Sequence, residues 1–153
     1  MKEEKVTIHI LTWLQLKGWA IVSYDFPQSG TGTLLHPNTE SKKEKNKGGF
    51  IPDIVAVKGQ TACFFENKDR YYKKDFDKLY EIKMNNSHSC AIDMLLDNSS
   101  IENIAYGIGI PHIEEHIEKC FNQSDQVDFI ISTDKEGKID VHHDVFGVFT
   151  DSN

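Results

Sequence analysis

The sequence predicts an α/β (α+β) domain with a central mixed β-sheet flanked by helices. Three observations carry this expectation. Residues 2–17 repeat apolar side chains at helical spacing, with Val6, Ile10, Trp13 and Leu14 on one stripe. Two apolar runs, 50–58 and 61–67, are short, β-branched and aromatic, and only a tight turn separates them. A second helical stripe then precedes another strand-like run at 103–110, and helices alternating with strands on this scale build layered sheets.

Taken in order, the first helix ends at Gly18, a natural stop. Ala20, Val22, Tyr24 and Phe26 alternate with Ile21, Ser23 and Asp25 as a strand that closes at Pro27. Residues 28–49 are rich in Gly, Ser, Thr, Asn and Lys and predict a long mobile loop, with a short extended piece at Thr33–Leu35. After the two central strands, 70–84 reads as a helix with Tyr72, Phe76, Leu79 and Lys83 on one stripe. Asn85, Asn86 and Ser87 break it. Residues 90–96 and 113–121 predict short helices on either side of the 103–110 strand. Residues 127–133 and 138–142 predict a hairpin around Asp134-Lys-Glu-Gly137. No repeat and no second domain is visible, so 1–153 reads as one domain.

A net charge of −7 argues against a generic nucleic-acid binder, yet most of the 17 basic residues fall between Ser41 and Lys83, and acids dominate after Met84. Such a chain can keep one local basic surface within an acidic whole. Cys63, Cys90 and Cys120 are far apart and form no CxxC, so reduced thiols are expected rather than a disulfide framework or a zinc knuckle. No apolar run has membrane-spanning length and no secretory apolar region opens the sequence. The expectation is therefore a cytoplasmic location with no membrane partner.

The stretch from Ile51 to Lys68 is strongly apolar but carries Asp53, Glu66 and Lys68. Lys58-Gly59-Gln60-Thr61 suits a two-residue turn with glycine at its first central position. If Lys58 faces Thr61, Asp53 faces Glu66, and directly opposed residues share a sheet face with Cβ atoms roughly 4.5–5.5 Å apart. Lys68, two residues on, returns to that face. Opposed carboxylates repel, and a divalent cation removes the repulsion. Hard oxygen ligands with a partly open shell suit Mg²⁺. The plainer alternative is a solvated, salt-bridged face.

Pro52-Asp53, twelve residues, then Glu66-Asn67-Lys68 resembles the PD-(D/E)xK motif of the restriction-endonuclease-like nuclease superfamily, as does the element order from residue 1 to about 110. The resemblance implies a restriction-endonuclease-like core and Mg²⁺-dependent DNA hydrolysis to 5′-phosphate ends, with Mn²⁺ as a substitute ion. It assigns Asp53 and Glu66 as metal ligands with the backbone carbonyl of Asn67, and Lys68 to orienting or helping to deprotonate the attacking water. Many members add a glutamate from the first helix. Glu4 shares a helical face with Ile8 and Leu11, and Glu3 with Val6 and Ile10, so either fits that role or simply favours the helix start. Within the superfamily the chain looks most like a small type II restriction endonuclease or its catalytic subunit. A Holliday-junction-resolvase-like nuclease is the alternative, although those are usually more basic.

Arg70, Lys73 and Lys74 follow the motif directly and are candidate contacts to double-stranded DNA flanking the cut, with Lys47 from the long loop. No separate DNA-reading motif is present. Cutting both strands with one site per chain therefore implies a homodimer or a larger DNA-recognising subunit.

Other patterns compete. His112-Ile-Glu-Glu-His116 matches the HxxEH pattern of zinc peptidases, with Glu115 as base. His142 and His143 are adjacent in a strand and should point to opposite faces. Gly107 and Gly109 lack the context of a dinucleotide loop and instead mark a close backbone approach. A non-enzymatic nuclease-fold binding subunit is the remaining reading.

Overall fold

The N-terminal stripe folds as α1 (Glu3–Leu16), which buries Val6, Thr7, Ile10 and Leu14. In this computed structural model the described residues are 1–26, 32–36, 49–86, 88–96 and 100–149. Gly18 follows α1 with φ +92°, a conformation that glycine adopts without strain. The chain then enters β1 (Ala20–Tyr24).

β2 (Ile54–Lys58) and β3 (Thr61–Asn67) form the hairpin that the turn chemistry predicts. Lys58 faces Thr61, the register runs unbroken to Ile54 opposite Phe65, and Gly59 turns with φ +60°. β2 is shorter than the 50–58 run suggests. Phe50 leaves the sheet to bridge Leu35, and this bridge is the short extended piece expected near Thr33–Leu35. Most of the rest of the expected loop, including Lys47, lies outside the described residues.

Next come α2 (Lys73–Asn85), α3 (Ser89–Leu96), β4 (Asn103–Pro111), α4 (Glu114–Phe121), a 3₁₀ turn (Ser124–Gln126), β5 (Phe129–Thr133) and β6 (Ile139–Asp144). The strands lie side by side in chain order, forming a mixed six-stranded sheet. β1, β2 and β3 are antiparallel, β3, β4 and β5 are parallel, and β6 returns antiparallel. The fold is thus α+β, with a central mixed sheet flanked by helices, as the sequence predicts.

Alternation along the strands sends side chains to two cores. On one face Val6, Ile10 and Leu14 of α1 pack on Ile54, Ala56, Cys63, Phe65, Phe129 and Ile131. On the other, Phe76, Leu79 and Ile82 of α2, Ile92 of α3 and Cys120 of α4 cover Val55, Phe64, Ile108, Ile110 and Ile130. The three parallel strands all end on the same edge of the sheet, and the first of them carries Glu66 to that edge.

Two local expectations need correction. α2 starts at Lys73, not Arg70, because Tyr72 is extended (φ −143°, ψ 107°). Tyr72 is therefore exposed at the cap, and it is Tyr71 that packs on Phe76, ring centroids 5.6 Å apart. Lys83 does not extend the apolar stripe. It ion-pairs with fully buried Asp128, which also accepts a hydrogen bond from the Tyr106 backbone N–H at 3.0 Å, and Ile82 takes the core position.

Candidate active site

Asp53 stands one residue before β2, where the ladder breaks. The regular pairing ends at Ile54 opposite Phe65, and the Asp53 N–H also turns to the Phe65 carbonyl, donating at 2.9 Å. The Asn67 N–H donates to Asp53 Oδ2 at 2.7 Å, which fixes that carboxylate against the end of β3. The Asn67 side chain points to the opposite face and donates to Thr7 Oγ1 of α1 at 3.0 Å. One residue thus ties α1, β3 and Asp53 together.

Glu66 is 4% exposed, and Asp53 lies within its electrostatic field. Burial, together with the adjacent Glu66 charge, pushes Asp53 up to about 8 against the opposing Asn67 hydrogen bond. Burial likewise pushes Glu66 up to about 7, opposed by Lys78 and reinforced by Asp75. The Glu66 charge thus opposes ionisation of Asp53.

Lys68 lies within the field of both acids. Its Nζ is 3.4 Å from Glu3 Oε1 and 4.0 Å from Asp75 Oδ2, and stands 5.6 Å from the Tyr72 ring centroid. Partial burial would lower its pKa, but Asp75, Glu3 and Glu66 outweigh burial and raise it. Lys68 is therefore an ammonium at neutral pH, suited to holding an anion or a water rather than to abstracting a proton.

The first-helix acid on this side is Glu3, whose charge also reaches Asp53. Glu4 is exposed one step round the helix, in a shallow cavity of about 390 Å³ with Met1, Lys2, Lys5 and Ile8.

Two residues escaped the sequence reading, and both sit on α2. Asp75 is 5% exposed, and its Oδ2 has no hydrogen-bond partner among the described residues. Lys78 Nζ stands 3.2 Å from Glu66 Oε1, an ion pair outside hydrogen-bonding alignment. The available signal was Asp75 itself, an acid four residues before Leu79 on the buried stripe of α2.

Among the described residues, no group of three or more His, Cys, Asp or Glu side chains forms a ready metal cage. The donors at hand are the two buried carboxylates of Asp53 and Glu66 and the Asn67 backbone carbonyl beside them. Such a set fits a hard cation that keeps much of its water shell. Fully ionised, Glu3, Asp53, Glu66 and Asp75 against Lys68 and Lys78 leave two negative charges, which one divalent ion neutralises. Glu66 Oε1 and Asp75 Oδ2 are buried without an aligned hydrogen bond among the described residues, which is costly for ionised groups.

The candidate DNA contacts flank this cluster. Arg70 is exposed but grips its neighbour Asp69 at 3.0 and 3.1 Å, and Lys73 pairs with Asp77 at 2.9 Å. Lys74 is exposed. Lys68, Asp69, Arg70 and Tyr72 line an open pocket of about 310 Å³ beside the acids.

The HxxEH pattern does not form its helical pair. His112 precedes α4 and turns to β5 and β6, 2.8 Å from Ser132 Oγ and 3.3 Å from Asp140 Oδ2. His116 instead accepts from the Tyr71 N–H at 3.4 Å. His142 reaches Ser132 at 2.7 Å and His143 reaches the Val127 carbonyl at 3.0 Å. Cys63 and Cys120 are buried thiols in no disulfide among the described residues. No described helix is long and apolar enough to cross a membrane.

No family model matches this chain, and neither a curated protein nor a solved structure does.

Proposed function

We propose that the chain is a Mg²⁺-dependent endodeoxyribonuclease of the PD-(D/E)xK type, acting as a small type II restriction endonuclease or as the catalytic subunit of one. The observation that carries this reading is the burial of Asp53 beside Glu66 with the Lys68 ammonium in the field of both, at the open end of the β2–β3 hairpin. The order of one helix, three antiparallel strands, crossover helices and a parallel strand supports it.

Asp53, Glu66 and the Asn67 carbonyl would hold the ion, which when bound supplies a Lewis acid for the scissile phosphate and a more acidic water. The chain's own residues do the rest. The Asn67 N–H holds Asp53 in place. The Lys68 ammonium orients a non-bridging phosphate oxygen or the attacking water and offsets charge in the transition state. Glu3 and Asp75 hold that ammonium over the site. In-line attack of water breaks the bond between phosphorus and the 3′ oxygen, leaving a 5′-phosphate and a 3′-hydroxyl. The exposed Lys74 and the pocket at Arg70 and Tyr72 suit the flanking backbone of double-stranded DNA. A homodimer, or a larger DNA-reading subunit, brings the second site for the second strand.

Plasmid DNA incubated with the protein and Mg²⁺ tests this reading, with EDTA as the control. Discrete metal-dependent cuts are expected, and Asp53→Ala or Glu66→Ala should abolish them while circular dichroism stays unchanged. If either variant cuts at the original rate, the ligand assignment is wrong. Cutting confined to four-way junctions would instead support the resolvase reading.

A further inference from the structure

The Glu66–Lys78 pair joins groups of unequal freedom. Glu66 is 4% exposed near the end of a central strand, whereas the Lys78 side chain of α2 is 43% exposed. Glu66 therefore cannot follow Lys78 into solvent, but Lys78 can leave Glu66. The pairing is also incomplete, since Glu66 Oε1 is buried and lacks an aligned hydrogen bond despite an ammonium 3.2 Å away. In that same position its Nζ stands 5.2 Å from the Phe50 ring centroid, so the ammonium is seated by both the acid and the ring.

Resting on the metal-site reading above, we infer that Lys78 is an internal counter-ion of Glu66, seated where a divalent cation binds, and that this cation displaces it. The lysine keeps a buried acid cluster compatible with folding when no metal is bound. A price follows in affinity, because an ammonium beside a metal ligand repels the incoming ion and competes for its oxygen. Asp75 lies in the same field, since Lys68 and Lys78 both act on its carboxyl, so the released position borders a second acid.

The test is Mg²⁺ binding to the whole protein without DNA, followed by titration calorimetry and by the Mg²⁺-induced shift in melting temperature. Lys78→Met and Lys78→Gln remove the charge, and Lys78→Arg keeps it. The neutral variants should bind Mg²⁺ about tenfold tighter than the parent, with Lys78→Arg close to the parent. Asp53→Asn should lose the binding and so locate it. Equal or weaker binding by both neutral variants, with Asp53-dependent binding in the parent, overturns the counter-ion inference and leaves the metal site standing. Absence of Mg²⁺ binding in the parent and in every Lys78 variant overturns the metal site and the inference together.

Discussion

At the residue scale, the site concentrates like charge where burial penalises it. Asp53 has a folded-state pKa of about 8 against an ordinary 3.8, so the folded chain holds that proton far more tightly than the unfolded chain. The associated stability is fully present below the unfolded value and is lost as pH rises towards 8. Asp53→Asn keeps an acceptor for the Asn67 N–H but cannot ionise. In EDTA it should match the parent near pH 4 and be the more stable of the two at pH 8, as urea midpoints at the two pH values would show. Lys68 carries a different role. With its ammonium held by Glu3 and Asp75, Lys68→Ala should lower the cleavage rate by about 10²–10³-fold, the range for one positioned donor that stabilises transition-state charge, with little change in melting temperature.

At the scale of the elements, β4 must lie close under α1 for Asn67 to reach Thr7. Gly109 makes this possible. A Cβ there would collide with the Asn67 side chain and with Ile10, and one on Gly107 would strike the Phe129 ring. Gly109→Ala should therefore cost about 1–3 kcal/mol through overpacking, read as a lower urea midpoint. It should also lower cleavage, since Asn67 positions Asp53. This double effect separates it from a substitution that only loosens the core.

At the scale of the whole molecule, one aromatic cluster joins the two ends of the described chain. Phe149 packs against Trp13 and Trp19 at 5.4 Å, Phe129 at 4.9 Å and Phe65 at 5.9 Å. It thereby clamps α1 to the centre of the sheet. Phe149→Ala should destabilise the whole domain by about 3 kcal/mol, while denaturant unfolding stays a single transition. The charge distribution also acts at this scale. Arg70 and Lys73 are engaged by Asp69 and Asp77, so the basic segment after the motif presents less free positive charge than its sequence suggests.

The hairpin was legible from the sequence because its determinants are local. A glycine at the first turn position and strict alternation fix the pairing from Lys58 opposite Thr61 to Ile54 opposite Phe65; the ladder ends there, and Asp53 and Glu66 come within each other's field just beyond it. The mixed sheet and its flanking helices followed from apolar periodicity for the same reason. The surroundings of the acids were not legible. Whether Glu3 or Glu4 faces Lys68 depends on the rotation of α1 as Val6, Ile10 and Leu14 settle on the sheet. The approach of Asp75 and Lys78 depends on how Phe76, Leu79 and Ile82 seat α2 on the other face. A strand's register is decided within a few residues of its turn. The docking of a helix is decided by burial against strands far away in sequence, and only the tertiary structure contains it.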